Sequence, residues 1–101
     1  MRLLVMFDLP TDTAEDRRNY TRFRKMLVKN GFVMFQESVY TKLLFNPTAM
    51  FAVMDVLRKN RPPRGFVSTL EITEKQFASM EHLVGEAHSE VINTDERLLI
   101  L

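Results

Sequence analysis

Short apolar runs and longer amphipathic stretches follow one another along this chain in a fixed order, and most are closed by a residue that stops their continuation. Arg2 is followed by five apolar residues, Leu3 to Phe7, and then by Asp8-Leu9-Pro10. Pro10 removes a ladder donor where a strand should stop, so a first strand is expected over 2–8. Thr13 stands three residues before Asp16 in an approximate capping box, and acids at 12, 15 and 16 suit the positive end of a helix. That helix is expected to run to Asn30, with Gly31 as its left-handed cap. Phe32–Phe35 and Val39–Phe45 read as strands joined by the polar Gln36-Glu37-Ser38, short enough for a hairpin. A second helix is expected from about Pro47 to Asn60, capped by Asn46 and ended by the double proline of Arg61-Pro-Pro-Arg-Gly65. Gly65 to Ile72 reads as a fourth strand, and Thr73-Glu-Lys-Gln76 is a capping box opening one or two turns through about Ser79.

Strand, helix, strand, strand, helix, strand is the order of the ferredoxin-like α+β sandwich. At 101 residues there is room for one such domain. The reading assigns 1–78 to the core and 79–101 to a C-terminal extension. In that extension Met80–Val84 is expected as a short strand, Gly85–Glu96 as loop, and Arg97–Leu101 as an additional terminal strand.

The composition excludes several chemistries. No cysteine means no disulfide framework, thiol nucleophile or thiolate zinc site, and two histidines, His82 and His88, cannot supply a three-histidine metal site. No apolar run approaches the roughly 20 residues of a spanning helix, so no membrane is expected and a reducing cytoplasm is the default compartment. The net charge of +1 hides an asymmetry. Residues 1–64 carry twelve Lys/Arg against six Asp/Glu, and residues 65–101 carry two against seven. An anionic partner for the first part is implied, nucleic acid above all.

Both helices of such a sandwich cover one face of the sheet. The first two strands are nevertheless apolar on both faces, whereas a solvated antiparallel sheet alternates apolar and polar residues. A second subunit meeting sheet to sheet is the economical cover, and two-fold pairing is the commonest symmetry. The alternative is that the C-terminal segment folds across the open face.

Asp8 ends the first strand, where a half-buried carboxylate is expected. It is either an Asx-turn residue at Leu9-Pro10 or, if a two-fold axis brings two copies together, a shared ligand of a hard divalent ion such as magnesium. On the first helix, at 100° per residue, Arg18, Arg22, Lys25 and Lys29 fall within about 60° of one another, opposite Tyr20, Phe23 and Leu27. Arg17 and Arg24 flank the stripe, and beyond Asp16 the helix has no acid. Six basic residues without counter-ions suit several phosphates without reading a base. Arg58, Lys59, Arg61 and Arg64 form a second basic group, which either grips a backbone or caps the second helix. Ser38 has no neighbouring histidine to activate it as a nucleophile, and the histidines and seven methionines read as packing or surface residues.

Val5-Met-Phe-Asp8, Arg17-Arg18, Phe23-Arg24-Lys25, Asn30-Gly31-Phe32 and Gln36-x-Ser38-Val39-Tyr40, in this order and spacing, resemble the small CRISPR-associated family called Cas-two. Ile72-Thr-Glu-Lys-Gln-Phe77 is similar to its type II members. The resemblance covers nearly the whole chain. It implies a ferredoxin-like homodimer whose C-terminal strand crosses to the partner's sheet, and a place between copies of the Cas-one integrase during spacer acquisition in antiviral defence. It also implies, for some members, a magnesium-dependent endonuclease acting on RNA or double-stranded DNA, with Asp8 as metal ligand and catalytic residue at the dimer axis. Members often carry Phe and an acid where this chain has Tyr40-Thr41, so no catalytic role passes to that segment. A competing reading is an RRM-like module for single-stranded RNA, since Arg64-Gly65-Phe66-Val67 partly echoes an RNP1 pattern and Phe7 could stack a base. A ligand-sensing regulatory domain of the same fold is a third.

Overall fold

The computed structural model describes residues 1–85. The elements are β1 (Arg2–Asp8), α1 (Ala14–Lys29), β2 (Val33–Gln36), β3 (Val39–Leu43), α2 (Pro47–Lys59), β4 (Phe66–Ile72) and α3 (Glu74–Ala78). The strands form one antiparallel sheet in the order β2-β3-β1-β4, the arrangement of a ferredoxin-like α+β fold.

Local chemistry sets the element ends. The Asp16 N–H donates to Thr13 Oγ1 at 3.0 Å while Asp16 Oδ2 accepts from the Thr13 N–H at 3.3 Å, closing the expected capping box. At the other end Gly31, at φ +89°, donates to the Val28 carbonyl and Phe32 to the Leu27 carbonyl, a Schellman closure that delays β2 to Val33. Asn46 Oδ1 accepts from the Ala49 N–H at 2.8 Å and Pro47 occupies the first turn of α2. Thr73 and Gln76 make the second reciprocal box, opening α3. β3 is bounded at Leu43 rather than Phe45; Leu44 still extends the pairing by one step, exchanging hydrogen bonds with Met1 at 2.7 and 3.1 Å, and Phe45 lies exposed beyond it.

The core lies between the sheet and the two long helices. Leu3, Val5 and Phe7 point into it from β1 and meet Tyr40, Leu44, Phe23, Leu27, Phe32, Val53 and Leu57. Phe7 packs edge-on to Phe23 at 5.2 Å and stacks on Tyr40 at 5.7 Å. Burying each such side chain contributes about 1.5–3 kcal/mol.

The opposite face is covered in part by the chain itself. Phe35, thrown out of register by a bulge between Met34 and Gln36, packs on Phe77 at 5.2 Å and on His82 at 5.8 Å. Met80–Val84 is not the expected strand: His82 packs on Phe35, while Leu83 and Val84 are exposed. With Leu4, Thr41 and Phe35 all buried, the expected bare face of the first two strands is only partly bare. What remains exposed on it is Val33, Leu43, Phe66 and Leu70. The expected loop beyond Gly85 and the terminal strand 97–101 lie outside the described residues. Among the described residues no helix is long and apolar enough to cross a membrane.

Candidate functional site

Asp8 is the last residue of β1 and pairs with Phe66 across the β1–β4 ladder, so both side chains leave the sheet on the face away from α1 and α2. Asp8 is exposed, not half-buried as its position after an apolar run suggests. The reason is the uneven cover: α3 and His82 lie over Arg2 and Phe35, while Asp8 sits at the other end of β1 beside a 75% exposed Phe66. Its carboxylate makes no hydrogen bond among the described residues, which leaves the Asx-turn reading without its defining contact.

No group of three His, Asp or Glu side chains able to hold a metal occurs among the described residues. One chain thus offers one carboxylate. Magnesium retains several waters and is commonly held through one or two carboxylates, so this donor suits an ion completed by water and a second carboxylate, not a closed cage within one chain.

The basic stripe of α1 has the expected orientation. Arg18, Arg22, Lys25 and Lys29 are exposed, and Phe23 and Leu27 are buried on the other side. Arg18, Arg24, Lys25 and Lys29 make no hydrogen bond or ion pair among the described residues. Arg17 instead turns back to the Thr11 carbonyl at 3.1 Å, and Arg22 donates to Asn19 Oδ1 at 3.0 Å. Ala14, Arg17, Arg18, Thr21, Arg22 and Lys25 line a shallow concavity along this helix.

The second basic group is dispersed by its partners. Lys59 pairs with Asp55 at 3.0 Å, Arg61 reaches the Arg58 carbonyl at 3.3 Å, and Arg64 contacts both oxygens of Asp16 at 3.2 and 3.3 Å. Arg61 therefore supports the capping reading, and Arg64 braces the loop before β4 against the start of α1. His82 packs on Phe35, and His88 lies outside the described residues.

Two features escaped sequence reasoning. Arg2 is buried on the same sheet face as Asp8, where Nε and Nη2 meet the Glu74 carboxylate at 2.7 and 2.9 Å, Nη1 reaches Thr41 at 3.5 Å, and the guanidinium lies 4.2 Å from the Phe77 ring centre. The Arg2 hydrogen bonds hold the Glu74 carboxyl below its ordinary 4.5, against the opposing effect of partial burial. The only signal for this pair was an arginine at the head of an otherwise apolar strand. Phe66 next to Asp8 is legible only once the β1–β4 register is known. That register also places Phe7 in the core, so an RRM-like platform pairing Phe7 with Phe66 is not formed.

The model of the family described as CRISPR associated protein Cas2 matches residues 1–80. A Treponema denticola protein is 52% identical over 101 residues, covering all of both chains. One from Streptococcus mutans serotype c is 50% identical over all of this chain and 93% of its own length, and one from Lacticaseibacillus rhamnosus is 40% identical over the whole of both. Each of the three is named CRISPR-associated endoribonuclease Cas2. With the ferredoxin-like fold and an aspartate at the end of β1 already in view, these matches assign the chain to the CRISPR-associated Cas2 family.

Proposed function

We propose that this chain is a type II CRISPR adaptation protein that acts as a homodimer, binds nucleic acid along α1, and carries a magnesium-dependent phosphodiesterase centre at Asp8. The observation that carries this reading is the composition of one sheet face. Asp8 stands exposed there beside Phe66, with Leu70 also exposed further along β4. A second copy laid over that face covers the apolar surface and brings two carboxylates together.

A magnesium ion held between them would supply an activated water and offset charge on a scissile phosphate. The chain's own residues do the rest. Asp8 supplies the ligand and acts as the catalytic residue, while Arg18, Arg22, Lys25 and Lys29, flanked by Arg17, hold the phosphate backbone. The relatives' endoribonuclease name favours RNA as the cleaved substrate, while the unpaired cations of α1 suit double-stranded DNA held for the Cas-one integrase in the cytoplasm.

The test is Asp8→Ala. Magnesium-dependent cleavage of RNA or duplex DNA is expected to disappear, with the particle mass and the nucleic-acid affinity unchanged. Full cleavage by the purified variant rejects Asp8 as the ligand.

A further inference from the structure

The end of β1 is flanked by two residues in the left-handed backbone region, one on each neighbouring strand's side. Towards β3, Ser38 has φ +66° and its carbonyl accepts the Phe7 N–H at 3.1 Å. It is the only non-glycine residue with positive φ among the described residues. Such a conformation costs on the order of 1–3 kcal/mol and persists where the surroundings impose it. Towards β4, Gly65 has φ +96°, and a Cβ built on it would stand 2.7 Å from the Asp8 carbonyl oxygen, 2.9 Å from Leu9 Cδ2 and 3.1 Å from Leu9 Cα. Two of these three atoms are backbone and cannot swing aside. The preceding residue, Arg64, is anchored on the buried Asp16, so the loop that carries Gly65 is itself held in place.

We propose that Gly65 and Ser38 are positioning residues that fix the direction in which the Asp8 carboxylate leaves β1, so that it is preset for a divalent cation. The inference rests on Asp8 being the metal ligand. An exposed aspartate at a strand end has few side-chain contacts to orient it, so its backbone must supply the constraint. Neither flanking residue touches the cation; each acts through the main chain of residues 7–9. Supports of this kind outside the ligand shell are commonly worth about 10- to 100-fold in metal affinity or activity.

Gly31 provides the control. It has a similar φ of +89°, but a Cβ there would meet only the flexible end of the Lys42 side chain, at 3.2 Å from Nζ. Gly31→Ala and Gly65→Ala therefore impose a similar backbone penalty, and only the second presses on Asp8. The dissociation constant for Mn²⁺, used as a paramagnetic probe on the full-length protein, is measured beside kcat and KM for magnesium-dependent cleavage. Gly65→Ala is expected to weaken Mn²⁺ binding by about 10-fold or more and to lower kcat with KM little changed. Gly31→Ala is expected to lower the melting temperature while leaving Mn²⁺ affinity at the wild-type value. Should Gly65→Ala fail to fold, Ser38→Gly decides. Glycine accepts positive φ without strain, so the melting temperature holds or rises, while Mn²⁺ affinity falls about 10-fold as the support slackens. A folded Gly65→Ala, or failing that Ser38→Gly, with wild-type Mn²⁺ affinity overturns the proposal, as does an equal loss in Gly31→Ala. Asp8→Asn separates the two layers. Loss of Mn²⁺ binding in Asp8→Asn but not in Gly65→Ala refutes positioning alone, and retention in Asp8→Asn refutes the ligand assignment beneath it.

Discussion

Two carboxylates show how much a single side chain does in a domain this small. Asp16, 5% exposed, completes the α1 capping box and also receives Arg64 from the loop before β4. Asp16→Ala removes both, and the expected cost is about 1–3 kcal/mol, read as a lower urea midpoint at an unchanged slope. Glu74 is held below its ordinary value by Arg2, so its folded pKa lies under its unfolded one. Its contribution is then present above about pH 4.5 and is lost as the pH falls through the lowered value. Glu74→Gln is expected to flatten the decline of stability between about pH 6 and pH 3, measured by urea midpoints across that range. The two pairs differ in what the sequence disclosed. Thr13 and Asp16 are three residues apart and announce a cap. Arg64 and Asp16 are 48 apart and Arg2 and Glu74 are 72 apart, and nothing local joins them.

Element ends were legible for the same reason: caps, prolines and glycines act over three or four residues, as at Asn46-Pro47 and Asn30-Gly31. Edges and faces were not, because they depend on register. Phe45 reads as strand from its apolar side chain, yet the pairing on β3 reaches only Leu44, opposite Met1, and Met80–Val84 reads as strand because apolar content does not tell a paired segment from an unpaired one. The α1 stripe lies between these cases. Helical periodicity alone placed Arg18, Arg22, Lys25 and Lys29 on the surface, but not the turning of Arg17 and Arg22 to neighbours within the chain. Lys25 and Lys29 make no such contact among the described residues, so they are available to phosphates. Replacing both with alanine is expected to lower the slope of log affinity against log salt by about one to two for duplex DNA, with the melting temperature little changed. An unchanged slope would leave the stripe as ordinary surface.

At the scale of the molecule, the decisive quantity is how much of the second sheet face the chain leaves bare. α3 closes one end of it through Phe77 on Phe35 and Arg2, a cover from within the 1–78 core and not from the C-terminal segment that the sequence offers as the alternative to a partner. The other end keeps Phe66 at 75% and Leu70 at 51% exposure on one strand, two positions that share the face of Asp8. A charge placed there must be desolvated if a second copy covers it and costs little if water does. Phe66→Lys and Leu70→Lys are therefore expected to halve the solution mass, from about twice the 11.9 kDa of the chain to a single copy, in sedimentation at matched concentration. Phe51→Lys is the control, since Phe51 is also exposed but lies on α2, across the sheet. Its mass is expected to match the unsubstituted protein. Dissociation by Phe51→Lys with no effect from Phe66→Lys would move the interface to the helical face and leave the two Asp8 carboxylates apart. A shared magnesium would then have no second ligand, and the cleavage chemistry would have to be sought elsewhere on the chain.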